Sequence, residues 1–283
     1  MKTVLHALYL PGHSEIPEKS MEDRLADLHE KAFELEASMQ YASRLQQALL
    51  PEEIQFKNVF SDAFIFYRPR DIVSGDFYWV FPFEDQVYFA VGDCTGHGVP
   101  GAMVSMAGMT LLRQVIRRKG LKDPARILTI LDEEITSLFN DNVLDGVTRD
   151  GMDMAFARYD KSQQKIFYCG ANRSLLHVRN GELTELDGDR FSLGYFDIYH
   201  KAFTTQEIAV EKNDLLYLFT DGYTDQFGGA NIKKFNRKRF RTLLSSLSEF
   251  SMSRQKNEVE EAFREWKGKY DQIDDVCVMG LKL

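Results

Sequence analysis

Apolar residues recur at alternating spacings of four and three in the first part of the chain, before Pro51. The positions in this seam are Met21, Leu25, Leu28, Ala32, Leu35, Met39, Ala42, Gln46 and Leu49. A narrow seam sustained over about four heptads is typical of a coiled coil. We therefore predict a coiled-coil helix over residues 21–50, after a tail at residues 1–20.

Two arrangements of this helix are compatible with the pattern. A single amphipathic helix could lie on its own domain, or two copies could pair between chains. Because the apolar stripe is only two positions wide, it favours pairing, and we expect a homodimer through the N-terminal helix. Gln46 is a polar seam position and is expected to help set the register.

Beyond Pro51 the pattern changes to short apolar runs rich in aromatic and β-branched residues, which predict strands. The runs are Phe64–Tyr67, Phe77–Phe81, Val87–Val91, Met152–Tyr159, Ile166–Cys169, Leu175–Val178, Leu215–Phe219 and Val276–Leu281. Asn180-Gly181, between the runs at 175–179 and 182–186, is a strong signal for a tight hairpin. We therefore expect largely antiparallel sheets.

Helical patterns lie between these strands. One helix is predicted to follow Val99 and to end near Gly120, and a second begins at Asp123-Pro124, a cap followed by proline. Two more are predicted near residues 233–248 and 254–269. This order predicts an α+β fold, an antiparallel β-sandwich flanked by helices, in one domain over residues 51–283.

Composition and charge narrow the functional classes. The chain has 283 residues, 44% hydrophobic and 28% charged, which is ordinary for a globular domain. No run approaches the roughly 20 apolar residues of a membrane span, and the N-terminus lacks a signal-peptide pattern. We expect a cytoplasmic protein without membrane contact. The net charge of −8 argues against a nucleic-acid partner, and we interpret the basic run at 233–241 as a solvated helix face.

The cysteines do not form a recognisable framework. Cys94, Cys169 and Cys277 are odd in number and widely spaced, which argues against paired disulfides and against a thiolate zinc site.

Aspartates fall at the ends of several predicted strands. Asp93 and Asp221 each end a buried-type strand, Asp76 opens one, and the pair Asp274-Asp275 opens the last. Such a residue is often a turn former. Acids in matched positions can instead meet at one rim of a sandwich, where several ionised carboxylates need a compensating cation. Oxygen ligands suit Mg²⁺ or Mn²⁺.

Seven segments, from residue 41 to the end of the chain, occur in a characteristic order. They are YASRLQQALLP (41–51), RPRDIVSGDFYWV (68–80), VGDCTGHGVPGAMVSM (91–106), DGMDMAFARYD (150–160), CGANRSLLHVRNGEL (169–183), LLYLFTDGYTDQF (215–227) and QIDDVCVMGL (272–281). Together they resemble the metal-dependent protein phosphatases of type 2C, the PPM family, and especially its bacterial branch typified by SpoIIE and RsbU. Any one segment alone would be a weak match.

The resemblance implies a dinuclear Mn²⁺ or Mg²⁺ centre. The implied ligands and catalytic residues are Asp76, Asp93, Asp221 and one acid of the pair Asp274-Asp275, of which we favour Asp274. Asp93 would bridge both ions, and the carbonyl of Cys94 would be a further ligand. Asp225 and Asp153 match acids of a weaker third metal site or of the outer shell, and the alternative is that they are surface or turn acids. His97 is either a general acid, an outer-shell group or structural. Arg68 and Arg70 precede Asp76, where eukaryotic relatives have a phosphate-binding arginine, but neither is assigned that role.

The implied reaction is hydrolysis of phosphoserine or phosphothreonine on a protein substrate in bacterial signalling, by a water activated between two cations. The usual substrate in this branch is an anti-sigma-factor antagonist. A catalytically inactive phosphatase fold that binds a phosphoprotein partner is the alternative. Only about 20 residues precede the seam, too few for a sensory domain, so we expect the partner or the oligomeric state to control metal binding.

Overall fold

The computed structural model describes residues 20–118, 121–140, 150–194 and 201–283. The chain divides into two compact units, Met1–Met39 and Gln40–Leu283. The helices are α1 (Met21–Gln47), α2 (Glu53–Lys57), α3 (Gly98–Ile116), α4 (Pro124–Asn140), α5 (Gly222–Asp225), α6 (Arg237–Leu247) and α7 (Met252–Lys267). The strands are β1 (Asp62–Arg68), β2 (Asp76–Phe83), β3 (Gln86–Cys94), β4 (Met152–Asp160), β5 (Lys165–Ala171), β6 (Leu175–Arg179), β7 (Glu182–Leu186), β8 (Gln206–Ala209), β9 (Leu215–Phe219), β10 (Phe227–Gly228), β11 (Lys233–Lys234) and β12 (Val276–Lys282).

The first unit contains most of helix α1. Ser20 and Asp23 cap its start reciprocally: Ser20 Oγ accepts from the Asp23 amide (3.1 Å), and Asp23 Oδ2 accepts from the Ser20 amide (3.3 Å). The seam residues from Met21 to Leu35 are exposed, with Met21 81% and Leu35 63% exposed. The predicted helix is confirmed, whereas its pairing into a coiled coil stays a prediction.

The second unit is a sandwich of two five-stranded sheets, in which every neighbouring pair of strands is antiparallel. One sheet has the order β1-β12-β9-β6-β7 and the other the order β2-β3-β4-β5-β8, and β10-β11 form a small ribbon. The predicted α+β sandwich is therefore confirmed. The predicted domain boundary at residue 51 stays a prediction.

The central strands are apolar on both faces because each sheet is covered on both sides. In β3, Val87 and Phe89 point into the core between the sheets, while Tyr88 packs under α3 and α4. In β9, Leu216 faces the same inter-sheet core and Tyr217 packs under α6 and α7. The layers are therefore helices, sheet, sheet and helices.

Turn and cap residues explain most element boundaries. Asn180 (φ 51°) and Gly181 (φ 79°) adopt the left-handed conformations of the predicted β6–β7 hairpin. Helix α6 begins at 237, later than predicted, because Asn236 caps it by accepting from the Arg239 amide (3.1 Å). Helix α3 ends at Ile116, before the predicted end near Gly120, which lies outside the described residues.

Gln46 does not act as predicted. Its side chain is buried in the sandwich unit, where its Oε1 accepts from the Ser74 amide (3.1 Å) and its Nε2 donates to the Ser74 carbonyl (2.6 Å) and to Ser105 Oγ (2.9 Å). Both amide hydrogens are used within the chain and the side chain is only 3% exposed, so it is not available to set a register between two chains, and that part of the prediction is wrong.

Helix α3 is the one described helix that is long and apolar enough to count as a candidate membrane span. Half of the most apolar stretch of this helix is buried inside the domain. There it packs on β2 and β3, as the core helix of a globular domain does. The cytoplasmic location stays a prediction.

Candidate metal centre

Three aspartates form a row across the sheet that contains β2, β3 and β4. Asp76 lies directly opposite Asp93, and Asp93 lies directly opposite Asp153. Directly paired residues point to the same face, with Cβ atoms about 5 Å apart. The register therefore brings three carboxylates into one line, although the sequence separates Asp93 from Asp153 by a long helical insertion.

The other sheet contributes the remaining acids. Asp221 follows β9, Asp274 and Asp275 precede β12, and these two strands are paired. Gly222 permits the close approach of the two chain segments, since a Cβ there would lie 1.9 Å from the carbonyl oxygen of Asp275 and 3.3 Å from the Cβ of Asp274. A residue larger than glycine would push Asp221 and Asp274 apart.

Residues from both sheets line one cavity of about 330 Å³. They are Asp93, Cys94, Thr95, Gly96, His97, Met152, Asp153, Arg173, Ser192, Asp221, Ile273 and Asp274. Asp76 lies behind Asp93 and is only 2% exposed, with its Oδ2 accepting from Thr220 Oγ1 (2.6 Å). Asp225 does not line the cavity, and its carboxylate pairs with Lys234 Nζ (2.7 Å).

The adjacent acids Asp274 and Asp275 point in different directions. Asp275 is buried, and its two carboxylate oxygens accept from the amides of Gly75 (2.8 Å) and Arg70 (2.7 Å). Asp274 lines the cavity instead. Asp275 therefore anchors the loop before β2, and Asp274 has its carboxylate near Asp221.

Burial and mutual repulsion disfavour the charged forms of these carboxyls. Burial, followed by the charge of Asp93, raises the pKa of Asp76 well above its usual value despite the Thr220 hydrogen bond. Burial also raises the pKa of Asp93 well above its usual value; the charge of Arg173 opposes this increase, and the charges of Asp221 and Asp274 add to it. The pKa of Asp274 is raised by burial and by Asp221. Such a site has an excess of negative charge that a cation can offset.

An arginine that the sequence analysis did not single out lies among these carboxylates. Nη2 of Arg173 contacts Oδ2 of Asp93, Oδ2 of Asp221 (3.0 Å) and Oδ2 of Asp153 (3.3 Å). Arg173 follows β5 in the segment CGANRSLL. A single arginine in a loop belongs to no hydrophobic pattern or motif that would have marked it as a site residue. Arg70 is not in this position, since its Nη1 donates to the carbonyl of Ile273 (3.3 Å).

His97, the residue at the N-cap of α3, lines the cavity together with Thr95 and Gly96. His97 Nδ1 is 2.9 Å from Asp71 Oδ2, and both side chains are substantially exposed. Gly101 allows the first turn of the helix to pack on the preceding loop, because a Cβ there would lie 2.3 Å from the carbonyl oxygen of Gly96. The positive end of the helix dipole is therefore adjacent to the acidic cavity.

The donor set fits a hard divalent cation. It consists of carboxylate oxygens, the ligands that Mg²⁺ and Mn²⁺ prefer. Within the described ranges, no three His, Cys, Asp or Glu side chains are already arranged around a common point as ligands. The guanidinium of Arg173 is the positive group that contacts Asp93, Asp153 and Asp221 instead.

A family model for SpoIIE, described as stage II sporulation protein E, matches residues 84–283, well over half of the chain. The chain therefore belongs to the SpoIIE family of PP2C-type phosphatases.

Individual relatives agree with this family. The phosphoserine phosphatase RsbU of Bacillus subtilis (strain 168) is 21% identical over 196 residues, which cover 68% of this chain and 55% of RsbU. The chain thus spans little more than half the length of that relative. The SiaA-PP2C domain of Pseudomonas aeruginosa superposes with a TM-score of 0.80 at 29% identity, covering 89% of this chain and 98% of that domain.

A structure of the PP2C phosphatase domain and part of the regulatory domain of SpoIIE from Bacillus subtilis shares the fold. Its TM-score is 0.62 at 13% identity, with 78% of this chain and 61% of that chain covered. The homologues are serine phosphatases of the PP2C family in bacterial signalling.

Proposed function

We propose that this protein hydrolyses phosphoserine or phosphothreonine on a protein substrate, with two divalent cations bound at the acidic cavity. The observation that carries the proposal is the convergence of Asp93 from one sheet with Asp221 and Asp274 from the other on one cavity. The excess of negative charge there is costly to the folded protein unless cations are bound. PPM phosphatases generally use Mn²⁺ or Mg²⁺.

The proposed ligands have distinct positions. Asp93 lies between Asp76 and Asp153 in the row and is the candidate bridging carboxylate. Asp76 is oriented by Thr220 from behind, and Asp221 and Asp274 close the opposite side. The carbonyl of Cys94 is a further candidate ligand. Asp225, which pairs with Lys234, is assigned to the outer part of the site or to a third ion.

The bound cations would lower the pKa of a water so that it attacks phosphorus at neutral pH. The paired strands hold the carboxylates side by side, and the positive end of the α3 dipole lies next to His97, which lines the cavity where the anionic substrate would bind.

A covalent cysteine mechanism is disfavoured by the thiols themselves. Cys94, Cys169 and Cys277 are all buried, and burial raises the pKa of each thiol. A protonated, inaccessible thiol is a poor nucleophile. Direct attack by water therefore agrees better with the residues present.

Phosphate release from a phosphoserine peptide, measured with Mn²⁺ and then with a chelator, tests the proposal. We expect release that depends on the cation and that is lost in Asp93→Asn. Asp85→Asn is the matched control, because Asp85 is an exposed acid paired with Lys122. Binding of the phosphopeptide without any release in Mn²⁺ would support the alternative of an inactive phosphoprotein-binding module.

The substrate class within bacterial signalling is a separate part of the proposal. By its resemblance to the branch that contains RsbU, we propose a small phosphorylated anti-sigma-factor antagonist. Phosphorylated antagonist proteins, compared with an unrelated phosphoserine peptide, should show a much higher kcat/KM. Equal kcat/KM values would exclude this substrate class while leaving the phosphatase activity intact.

The homodimer through the N-terminal helix is also a proposal, together with control of metal binding by that pairing. The exposed apolar seam of α1 supports it. Light scattering should report a dimer for the chain and a monomer for the double variant Leu28→Glu, Leu35→Glu. Lys31→Glu is the off-seam control. Removal of residues 1–39, which leaves Gln46 hydrogen-bonded to Ser74, should also give a monomer. A monomeric parent chain would contradict both the proposed homodimer and the control of metal binding by pairing.

A further inference from the structure

The backbone of Arg173 is held in place beside the cavity. Arg173 lies between β5 and β6, and its carbonyl accepts from the hydroxyl of Tyr168. Two glycines leave room for that carbonyl, since a Cβ at Gly170 or at Gly188 would lie 2.3 Å from it. The loop is therefore built closely around this residue, and movement of the guanidinium has to come from the side-chain torsions.

The guanidinium has an uneven set of contacts. The side chain is 13% exposed, and its Nη2 contacts the carboxylates of Asp93, Asp153 and Asp221. One nitrogen carries only two hydrogens, so it cannot give all three carboxylates a good hydrogen bond. Nε is buried and has no hydrogen-bond partner. A buried donor without a partner is unfavourable, so this position is stabilised by charge and leaves donors unused.

Arg173 and a cation need the same carboxylates. Asp93 and Asp221 are proposed metal ligands, and Nη2 contacts both. A divalent cation at these oxygens would repel the guanidinium at short range. Because the backbone is anchored, a displaced guanidinium stays within a side chain's reach of the cavity, where the substrate's phosphate has to lie.

The chemistry of the displaced group suits a phosphate. A guanidinium presents a planar fork of donors that matches phosphate oxygens. Among the described residues that line the cavity, Arg173 is the one lysine or arginine. Arg70, which precedes the first acid motif, donates to the Ile273 carbonyl instead.

We propose that Arg173 is a metal-responsive phosphate-binding residue, which neutralises Asp93, Asp153 and Asp221 in the metal-free protein and binds the phosphoryl oxygens of the substrate once cations occupy the site. This inference rests on the proposed phosphatase function. It adds a substrate contact from the loop between β5 and β6.

Calorimetric titration of the full chain tests the inference in two steps. Mn²⁺ is titrated first, and inorganic phosphate is then titrated into the Mn²⁺-loaded protein. We expect Arg173→Gln to bind Mn²⁺ at least about tenfold more tightly than the parent, because an internal competitor is removed, and to bind phosphate at least about tenfold more weakly. Arg173→Lys should retain part of the phosphate affinity.

Arg237→Gln is the matched control. Its guanidinium contacts Ser174 and Glu185 beside the same loop but none of the cavity carboxylates, so both dissociation constants should stay at the parent values. Far-ultraviolet circular dichroism checks that each variant is folded. For folded Arg173→Gln, an unchanged or weaker Mn²⁺ affinity, or an unchanged phosphate affinity, overturns the inference. Failure of the parent chain to bind Mn²⁺ contradicts the proposed function itself.

Discussion

The two ends of strand β9 carry ionic clusters of opposite design. Before the strand, Asp214 is buried and accepts from Arg179 Nη2 (2.6 Å), from His177 Nε2 (2.9 Å) and from the Glu211 amide (2.9 Å). After the strand, Asp221 joins several other carboxylates that share the guanidinium of Arg173. In the first cluster several donors bond to one acid, whereas in the second cluster several acids share one guanidinium.

The pKa values follow this difference. Burial alone would raise the pKa of Asp214, but the hydrogen bonds from Arg179, the Glu211 amide and His177 outweigh burial and lower it. The pKa values of Asp76, Asp93 and Asp274 are raised. The cluster around Asp214 therefore stabilises the fold. The cluster around Asp221 has more acids than its one arginine can neutralise, so it is suited to bind cations from solution.

The largest expected effect is a loss of phosphatase activity that follows substitution in the Asp221 cluster but not in the Asp214 cluster. Asp93→Asn should lower phosphate release in Mn²⁺ by about a hundredfold or more, because the candidate bridging ligand contributes several kcal/mol through the cations. In chelator, its free energy of unfolding should not fall, since a repulsive charge has been removed. Activity assays and urea denaturation measure the two quantities, with Asp85→Asn as the control. A parent-like rate in Asp93→Asn would contradict the assignment.

Asp214→Asn should show the reverse behaviour. Removing one member of a buried, hydrogen-bonded ion cluster should lower the free energy of unfolding by about 3 kcal/mol. The rate per folded molecule should stay close to that of the parent, because Asp214 lies at the other end of β9 from Asp221. Urea denaturation and a specific-activity assay of the folded fraction provide the test. A loss of activity without a loss of stability would make the comparison untenable.

Mn²⁺ should stabilise only chains with an intact acidic cavity. At a free concentration of about 100 times Kd, one bound ion contributes about 2.7 kcal/mol to the free energy of unfolding. The thermal midpoint of the parent and of Asp214→Asn should therefore rise by similar amounts, and that of Asp93→Asn should rise much less. Differential scanning calorimetry in Mn²⁺ and in chelator measures this, and equal increases in all three chains would refute the prediction.

The smallest effect concerns pH. The pKa of Asp214 is lowered in the folded state, so its contribution to stability is present above the unfolded pKa of about 4 and is lost as the pH falls through the lower folded pKa. The raised pKa of Asp93 has the opposite sign in chelator: its destabilising effect is relieved as the pH falls through that folded pKa.

The pH dependence is measured from urea denaturation at a series of pH values in chelator. The stability difference between the parent and Asp214→Asn should shrink below about pH 4. The difference between the parent and Asp93→Asn should instead shift in favour of the parent as the pH is lowered. Parallel pH profiles for the two variants would show that the two carboxyls have similar environments.

Local patterns were sufficient for most of the fold. The continuous apolar runs, the Asn180-Gly181 turn and the Asp123-Pro124 cap predict elements that the structure contains. Strand β8 was missed because it is a short edge strand with half-exposed residues, and β10 and β11 have two residues each. These elements depend on pairing with distant partners rather than on their own pattern.

The candidate site was less accessible to sequence reasoning. Asp214 and Asp221 flank the same apolar run and look equivalent in the sequence. Their roles differ because His177 and Arg179, from another strand, hydrogen-bond to Asp214. The pairing of Asp93 with Asp153 depends on the register between β3 and β4, which local sequence does not encode. The role of Arg173 could not be predicted for the same reason, because it depends on contacts with three carboxylates from other segments of the chain.

The central claim is that the acidic cavity binds paired divalent cations. Anomalous diffraction from crystals soaked in Mn²⁺ tests it most directly. The account predicts two manganese peaks in the cavity, with the carboxylate of Asp93 between them, Asp76, Asp221 and Asp274 as further ligands, and the guanidinium of Arg173 displaced from these oxygens. A saturated crystal with no manganese in the cavity, and with Arg173 still on Asp93 and Asp221, would contradict the account.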